Sequence, residues 1–236
     1  MPVTAELDPA SLLDKMRREW DERAKENARH YIATANTEWD DEAYFESGRS
    51  NIYHEVLTDM GNVAQGMDPK AMTVLEIGCG SGRLTRALAE SFGTVYAVDI
   101  SGEMIDRAKV TLHAQPNAHV FQNNGRDLAV LDPVLKEGSA DFAFSYIVFQ
   151  HIPSVDVIYS YVREVRRFLK PGGLFKFQVQ GDPSIQAAPG DTWLGVAFSD
   201  ESAETMAREC GFELRYRRHD GEQYFWLWCF KPPVSN

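Results

Sequence analysis

Residues Val74 to Ala89 read VLEIGCGSGRLTRALA. Val74, Leu75 and Ile77 make a short apolar run of the kind a strand buried on both faces requires. Gly78, Gly80 and Gly82 follow at every second position. Glycines this close let the backbone turn sharply and leave room for a ligand to lie against bare main chain. From Arg83 the pattern turns helical, with Leu84, Ala87 and Leu88 on one face. The stretch is therefore strand, Gly-rich turn, helix, the opening of a nucleotide-binding α/β unit.

The glycine spacing narrows this further. A dinucleotide fingerprint, G-x-G-x-x-G, would need glycine at position 83, where the chain has Arg83. A nicotinamide dehydrogenase is disfavoured on that ground. The pattern present is E-x-G-x-G-x-G from Glu76 to Gly82. It closely resembles the first motif of the class I S-adenosylmethionine (SAM)-dependent methyltransferases. The resemblance implies that Glu76, Gly78, Cys79, Gly80 and Gly82 shape one side of a SAM pocket.

Other segments carry the same resemblance. TVYAVDI, residues 94–100, reads as a second buried strand with Asp99 at its carboxyl end. A carboxylate there can accept from both ribose hydroxyls or cap the helix that starts near Ser101. The family's pattern implies the ribose role, with Ile100 and Met104 against the adenine. After a third strand, 118–122, the loop Asn123-Asn124-Gly125-Arg126-Asp127 matches the segment that holds the adenine edge in the family. Asn124 stands where an acid is commoner, and Gly125 and Arg126 adjoin it. The fourth strand, ADFAFSY at 140–146, brings Ser145 and Tyr146 to its carboxyl end, where ligands of open α/β sheets bind.

His151 lies just beyond, in IVFQHIP. An imidazole there either takes a proton from the acceptor or braces the loop. Tyr31 and Tyr146 are the secondary candidates for a base. The run LKPGG at 169–173 before a fifth strand matches the family closely. A last helix from Ser199 to about Cys210 and an antiparallel hairpin around Asp220-Gly221 complete the chain. The resemblance spans residues 70–232. It implies an α/β fold: a seven-stranded, mostly parallel Rossmann-like sheet of order 3-2-1-4-5-7-6, flanked by helices.

Residues 1–60 precede the sheet and residues 61–236 hold the expected SAM-binding domain. Asp8-Pro9 signals a helix start, and Leu12, Leu13, Met16 and Trp20 give it one apolar face. A second helix is expected over residues 51–60, after Ser47-Gly48-Arg49-Ser50. These N-terminal helices either pack on the sheet's edge or cap the pocket. Arg49 either grips the SAM carboxylate with two hydrogen bonds or pairs with Glu46 or Asp59 on the surface. Residues 181–198, with Trp193 and Phe198, either connect or shape the acceptor pocket.

Composition bounds the partners. The 236 residues are 44% hydrophobic and 25% charged, with formal net charge -11. An acidic balance disfavours nucleic acid and anionic lipid surfaces. Three cysteines, Cys79, Cys210 and Cys229, with no C-x-x-C pair, favour a reducing cytoplasm over a disulfide framework or a metal site. No apolar stretch reaches the roughly 18 residues of a membrane span. The expected activity is methyl transfer from SAM to a small neutral or cationic acceptor, on oxygen or nitrogen. A SAM-binding protein that transfers nothing is the alternative.

Overall fold

The computed structural model describes residues 8–185 and 188–233. Strands β1 (Thr73–Ile77), β2 (Thr94–Asp99), β3 (Ala118–Gln122), β4 (Ala140–Phe144), β5 (Leu169–Val179), β6 (Glu213–Arg218) and β7 (Phe225–Phe230) form one sheet. Its order is β3-β2-β1-β4-β5-β7-β6. The first five strands run parallel, and β7 pairs antiparallel with β5 and β6. This is the expected topology.

Side-chain alternation assigns each strand residue to a face. Val74, Phe142, Phe144, Leu174 and Trp226 point to one side, where they meet Leu84, Leu88 and Phe92. Leu75, Ile77, Ala143, Phe175 and Phe177 point to the other, where Ile158, Val162, Val165 and Met206 cover them. The helices providing these layers are α4 (Arg83–Ser91) on the first face and α6 (Val155–Phe168) with α7 (Asp200–Glu209) on the second. Helix α5 (Gly102–Thr111) packs Ile105 near Ala97 of β2.

Helix α1 (Pro9–Ile32) begins as the Asp8-Pro9 signal predicts, the Asp8 carboxylate accepting from the amides of Ala10 and Ser11. It breaks at Asn27, whose backbone is extended (φ -162°, ψ 82°). Helix α2 (Asp41–Glu55) corrects the sequence reading. Ser47-Gly48-Arg49-Ser50 is not a turn ahead of a helix but lies inside one, capped by Asp40. The physical reason is Gly48: a Cβ there would stand 2.7 Å from the carbonyl oxygen of Arg83. Here glycine marks the crossing of α2 and α4 instead of a bend. A short helix, α3 (Met60–Val63), leads toward β1.

The N-terminal helices share the core. Met16 joins Leu75 and Ile77 on one face, and Ile52 and Val56 join Val74 and Leu88 on the other. No described helix is long and apolar enough to cross a membrane.

Candidate active site

The carboxyl ends of β1, β2 and β4 open into a cavity roofed by Met16, Trp20 and Ile32. The Gly-rich turn forms its floor. Gly78 and Gly80 have φ of 76° and 53°, the left-handed region that favours glycine. Space is equally limiting, since a Cβ at Gly78 would meet Val148 at 2.2 Å. The amides of Gly78 and Cys79 donate to the Val98 carbonyl at 2.8 and 3.0 Å, tying the turn to β2. Cys79 lines the cavity, its side chain clusters with Ala97 and Ile105, and burial pushes the thiol pKa up. Gly82 instead caps α4 and packs on Leu112 and Ala108, outside the lining.

Two carboxylates face the cavity. Glu76 accepts from the Thr85 hydroxyl at 2.6 Å, and burial raises its pKa to about 7. Asp99 accepts from the amides of Gly80 at 2.8 Å and Ser101 at 2.9 Å. Burial raises it to about 6 against the opposing pull of those two donors. Ile100 and Met104 line the same end.

Four residues singled out in the sequence stand elsewhere. Asn124 is exposed, its side-chain oxygen accepting from the amides of Arg126 and Asp127 in a local turn. The buried Asn123 lines the cavity in its place, donating to the Tyr161 hydroxyl at 2.7 Å. Arg126 is exposed and only its carbonyl is engaged, by Ser160. Gly125 lies behind Ile100, where a Cβ would come within 2.5 Å of that side chain. Ser145 donates to the Ile77 carbonyl at 2.8 Å, bracing β4 to β1.

Arg49 is a fifth such residue. It lies on the outer surface, its guanidinium held by Glu90 at 2.8 and 2.9 Å and by Glu46 at 3.3 Å. The guanidinium in the cavity belongs to Arg83, which is 4% exposed. It donates to Asn51 at 2.7 Å and Ser47 at 3.1 Å, and burial lowers its pKa. Among the described residues no carboxylate lies within salt-bridge distance of it. A signal for it existed. A cation in the first turn of a helix opposes the helix dipole, so Arg83 directly after the glycines was an anomaly.

His151 is buried against Trp20 and Trp193, with ring centroids 5.4 and 5.0 Å away. Its Nδ1 faces the Trp193 carbonyl, which can only accept, so Nδ1 carries the proton and Nε2 presents a lone pair. Burial pulls its pKa down to about 4 and holds the ring neutral. The Gln150 amide reaches Nε2 at 3.4 Å. Tyr146 accepts from Asn51 at 3.2 Å, and Tyr31 donates to Glu26 at 2.8 Å on the rim. A second cavity adjoins the first, sharing Tyr31, Arg83, Tyr146 and His151. Among the described residues no cluster of three acids, histidines or cysteines could hold a metal.

Three buried polar atoms around these cavities have no hydrogen-bond partner: Arg83 Nε, Asn123 Oδ1 and Gln150 Oε1. A buried polar group without a partner is expensive, and each marks a place where a ligand's polar group would fit.

Comparison with known proteins agrees with this geometry. Residues 74–173 match the methyltransferase domain family. The chain is 34% identical over 116 residues to malonyl-[acyl-carrier protein] O-methyltransferase of Halalkalibacterium halodurans, covering 48% of this chain and 40% of that protein. It is 31% identical over 83 residues to dTDP-3-amino-3,6-dideoxy-alpha-D-glucopyranose N,N-dimethyltransferase of Streptomyces fradiae, covering 35% and 31%. The chain thus spans less than half the length of these curated relatives. Among solved structures, DhpI in complex with SAH has a TM-score of 0.63 at 21% identity, covering 95% of this chain and 98% of that one. Over residues 74–173 the chain thus matches the methyltransferase domain family, and it carries that match on a Rossmann-like sheet. The matched segment runs from β1 into β5.

Proposed function

We propose that this chain transfers the methyl group of SAM to a small-molecule acceptor. The observation that carries the reading is the set of unpartnered buried atoms along one cleft. Arg83 Nε matches a carboxylate, and Asn123 Oδ1 matches an exocyclic amine. Between them Asp99, held by two amides, keeps lone pairs for two ribose hydroxyls. Ile100 and Met104 supply the apolar wall for adenine, and ionised Glu76 offers charge to the α-ammonium.

Bound SAM supplies a methyl group already activated on a sulfonium. The chain's own residues then have to align donor with acceptor and exclude water, which is worth roughly 7–11 kcal/mol. Gly78, Cys79 and Gly80 bring bare backbone to the cofactor. Met16, Trp20 and Ile32 keep water out, so residues 1–60 act as a helical cap on the domain at 61–236. Cofactor binding without transfer would need a closed acceptor side, and the adjoining cavity argues against it. The net charge of -11 argues against nucleic acid as the acceptor, and three buried free cysteines suit a cytoplasmic setting.

Calorimetry with SAM and SAH, paired with incubation of the protein, methyl-labelled SAM and pooled small metabolites, tests this. Binding of both nucleosides and label in a small product are expected. Absence of SAM binding in the folded protein would refute the assignment.

A further inference from the structure

We infer that the second cavity is the acceptor chamber, and that it takes an uncharged aromatic ring bearing a hydroxyl, methylated on that oxygen. This rests on the methyl-transfer reading above and adds the class of acceptor. The chamber adjoins the cofactor cleft through Tyr31, Arg83, Tyr146 and His151, so a molecule within it meets the methyl group at that junction.

Its walls select shape. Tyr31, Trp39, Trp193 and Tyr224 line it, with Tyr146 at the inner end. Trp193 and Tyr31 already stand edge to face, with centroids 5.9 Å apart. Trp39 is fixed by its indole N–H on the Ala33 carbonyl at 2.8 Å. Held aromatic faces favour a flat partner that stacks or meets them edge-on.

Its polar groups select charge. Among the described lining residues no carboxylate is present, and Arg83 is the one formal charge. An alkylammonium would enter with a positive charge, find no acid, and stand near both Arg83 and the sulfonium. An anion fails differently. The inner wall of the chamber presents Gln150 Oε1, buried and unpartnered, beside His151, whose Nε2 meets the Gln150 amide only at 3.4 Å, a long contact that a hydroxyl donor can replace. Arg83 would attract an anionic head, but in the reading above it holds the SAM carboxylate, and the two lone-pair carriers that remain accept from a neutral donor.

The same pair selects oxygen over nitrogen. A neutral arylamine attacks through its own lone pair and needs no base until the new bond has formed. A hydroxyl must lose its proton as the bond forms. The acceptor oxygen gives a lone pair to the methyl carbon, and the carbon–sulfur bond breaks with its pair going to sulfur. The hydroxyl proton passes to His151 Nε2 and on to water. Protonated transiently, His151 stays anchored through Nδ1–H on the Trp193 carbonyl.

Four compounds with one ring and different heads test this: phenol, aniline, benzylamine and benzoate, each incubated with the full chain and methyl-labelled SAM. Label is expected in anisole from phenol. The Trp193→Ala variant should raise the KM for phenol roughly tenfold. Trp193 lines only the second cavity, so SAM affinity should hold and report the fold. Gln150→Glu supplies the missing carboxylate and should move preference toward benzylamine with SAM binding kept. Label in benzylamine, benzoate or aniline but not phenol, by wild-type protein, overturns the proposal and leaves methyl transfer standing. So does a protein that binds SAM and methylates none of the four. A folded protein that does not bind SAM fails at the earlier step, the cofactor assignment.

Discussion

The backbone amide of Gly80 donates to Oδ2 of Asp99 at 2.8 Å, across the gap between the Gly-rich turn and the end of β2. With the Ser101 amide on Oδ1, it fixes the carboxylate and leaves its remaining lone pairs toward the cavity. Asp99→Ala removes two charge-assisted hydrogen bonds to the ribose. Each is worth about 1.5–3 kcal/mol, so SAM affinity should fall roughly 10²–10⁴-fold. A change of less than about fivefold by calorimetry would remove Asp99 from the ribose role.

Glu76 and Asp99 make stability and binding respond to pH in opposite senses. Burial raises Glu76 to about 7 and Asp99 to about 6 in the ligand-free chain. A raised folded pKa favours the protonated form, so the stability contributed is full below the unfolded value and is lost as pH rises through the folded one. Glu76→Gln should therefore stabilise the ligand-free protein by about 3 kcal/mol at pH 8, with the difference gone by pH 4. His151 runs the other way, losing its contribution as pH falls from 6.5 toward about 4. SAM, a cation with hydroxyl donors, prefers both acids ionised, so its affinity should climb from pH 5 to 8. Denaturant melts and calorimetry across that range measure both. A flat affinity profile would mean that neither acid titrates on binding.

Arg83 carries a buried charge that its neutral partners, Ser47 and Asn51, do not neutralise. Arg83→Met should leave the empty protein as stable as the parent or more so, because removing a buried charge often does. The same change should weaken SAM roughly 10–100-fold, the worth of a charged hydrogen bond. Methylthioadenosine, which lacks the carboxylate, should bind variant and parent alike. Equal losses for both ligands would show that Arg83 holds the pocket's shape instead of the carboxylate.

Gly48 is the crossing point of α2 and α4, with no room for a Cβ beside the Arg83 carbonyl. Gly48→Ala gains helix propensity but pushes the helices apart, and overpacking of this kind costs about 1–3 kcal/mol. A lower denaturant midpoint with an unchanged m-value is expected. A gain in stability would show that the crossing tolerates a methyl group.

What could be read ahead of the structure followed from local rules. Strand alternation, the Gly-rich turn and the helix starts at Asp8 and Ser199 all act within a few residues, and those elements form as expected. Glu76, Asp99, Ile100 and Met104 reach the cavity for the same reason, being fixed by the ends of β1 and β2. Gly48 misled because a helix crossing and a turn use the same residue for different reasons. Arg49 and Arg83 exchanged places because the choice rests on Glu90, 41 positions from Arg49 and visible only once α2 and α4 are packed. Asn123 and Asn124 differ by a single step of backbone direction, which the local turn at 124–127 decides. Trp193 and Gln150 became part of a site only when the loop after β5 folded back toward α1, through Lys15 on the Gly190 carbonyl and Arg23 on Thr192.

Ile32, the last residue of α1, presses on Gly80 so closely that a Cβ there would meet it at 2.8 Å. On the methyl-transfer reading proposed above, the last turn of the chain's own first helix covers the donor's place on the Gly-rich turn. The break at Asn27, held by its side-chain bond to the Thr37 carbonyl, separates the final turn from the long segment before it. Exchange of spent nucleoside is then expected to need movement of that turn, and turnover to slow as solvent viscosity rises; a rate indifferent to viscosity would overturn this.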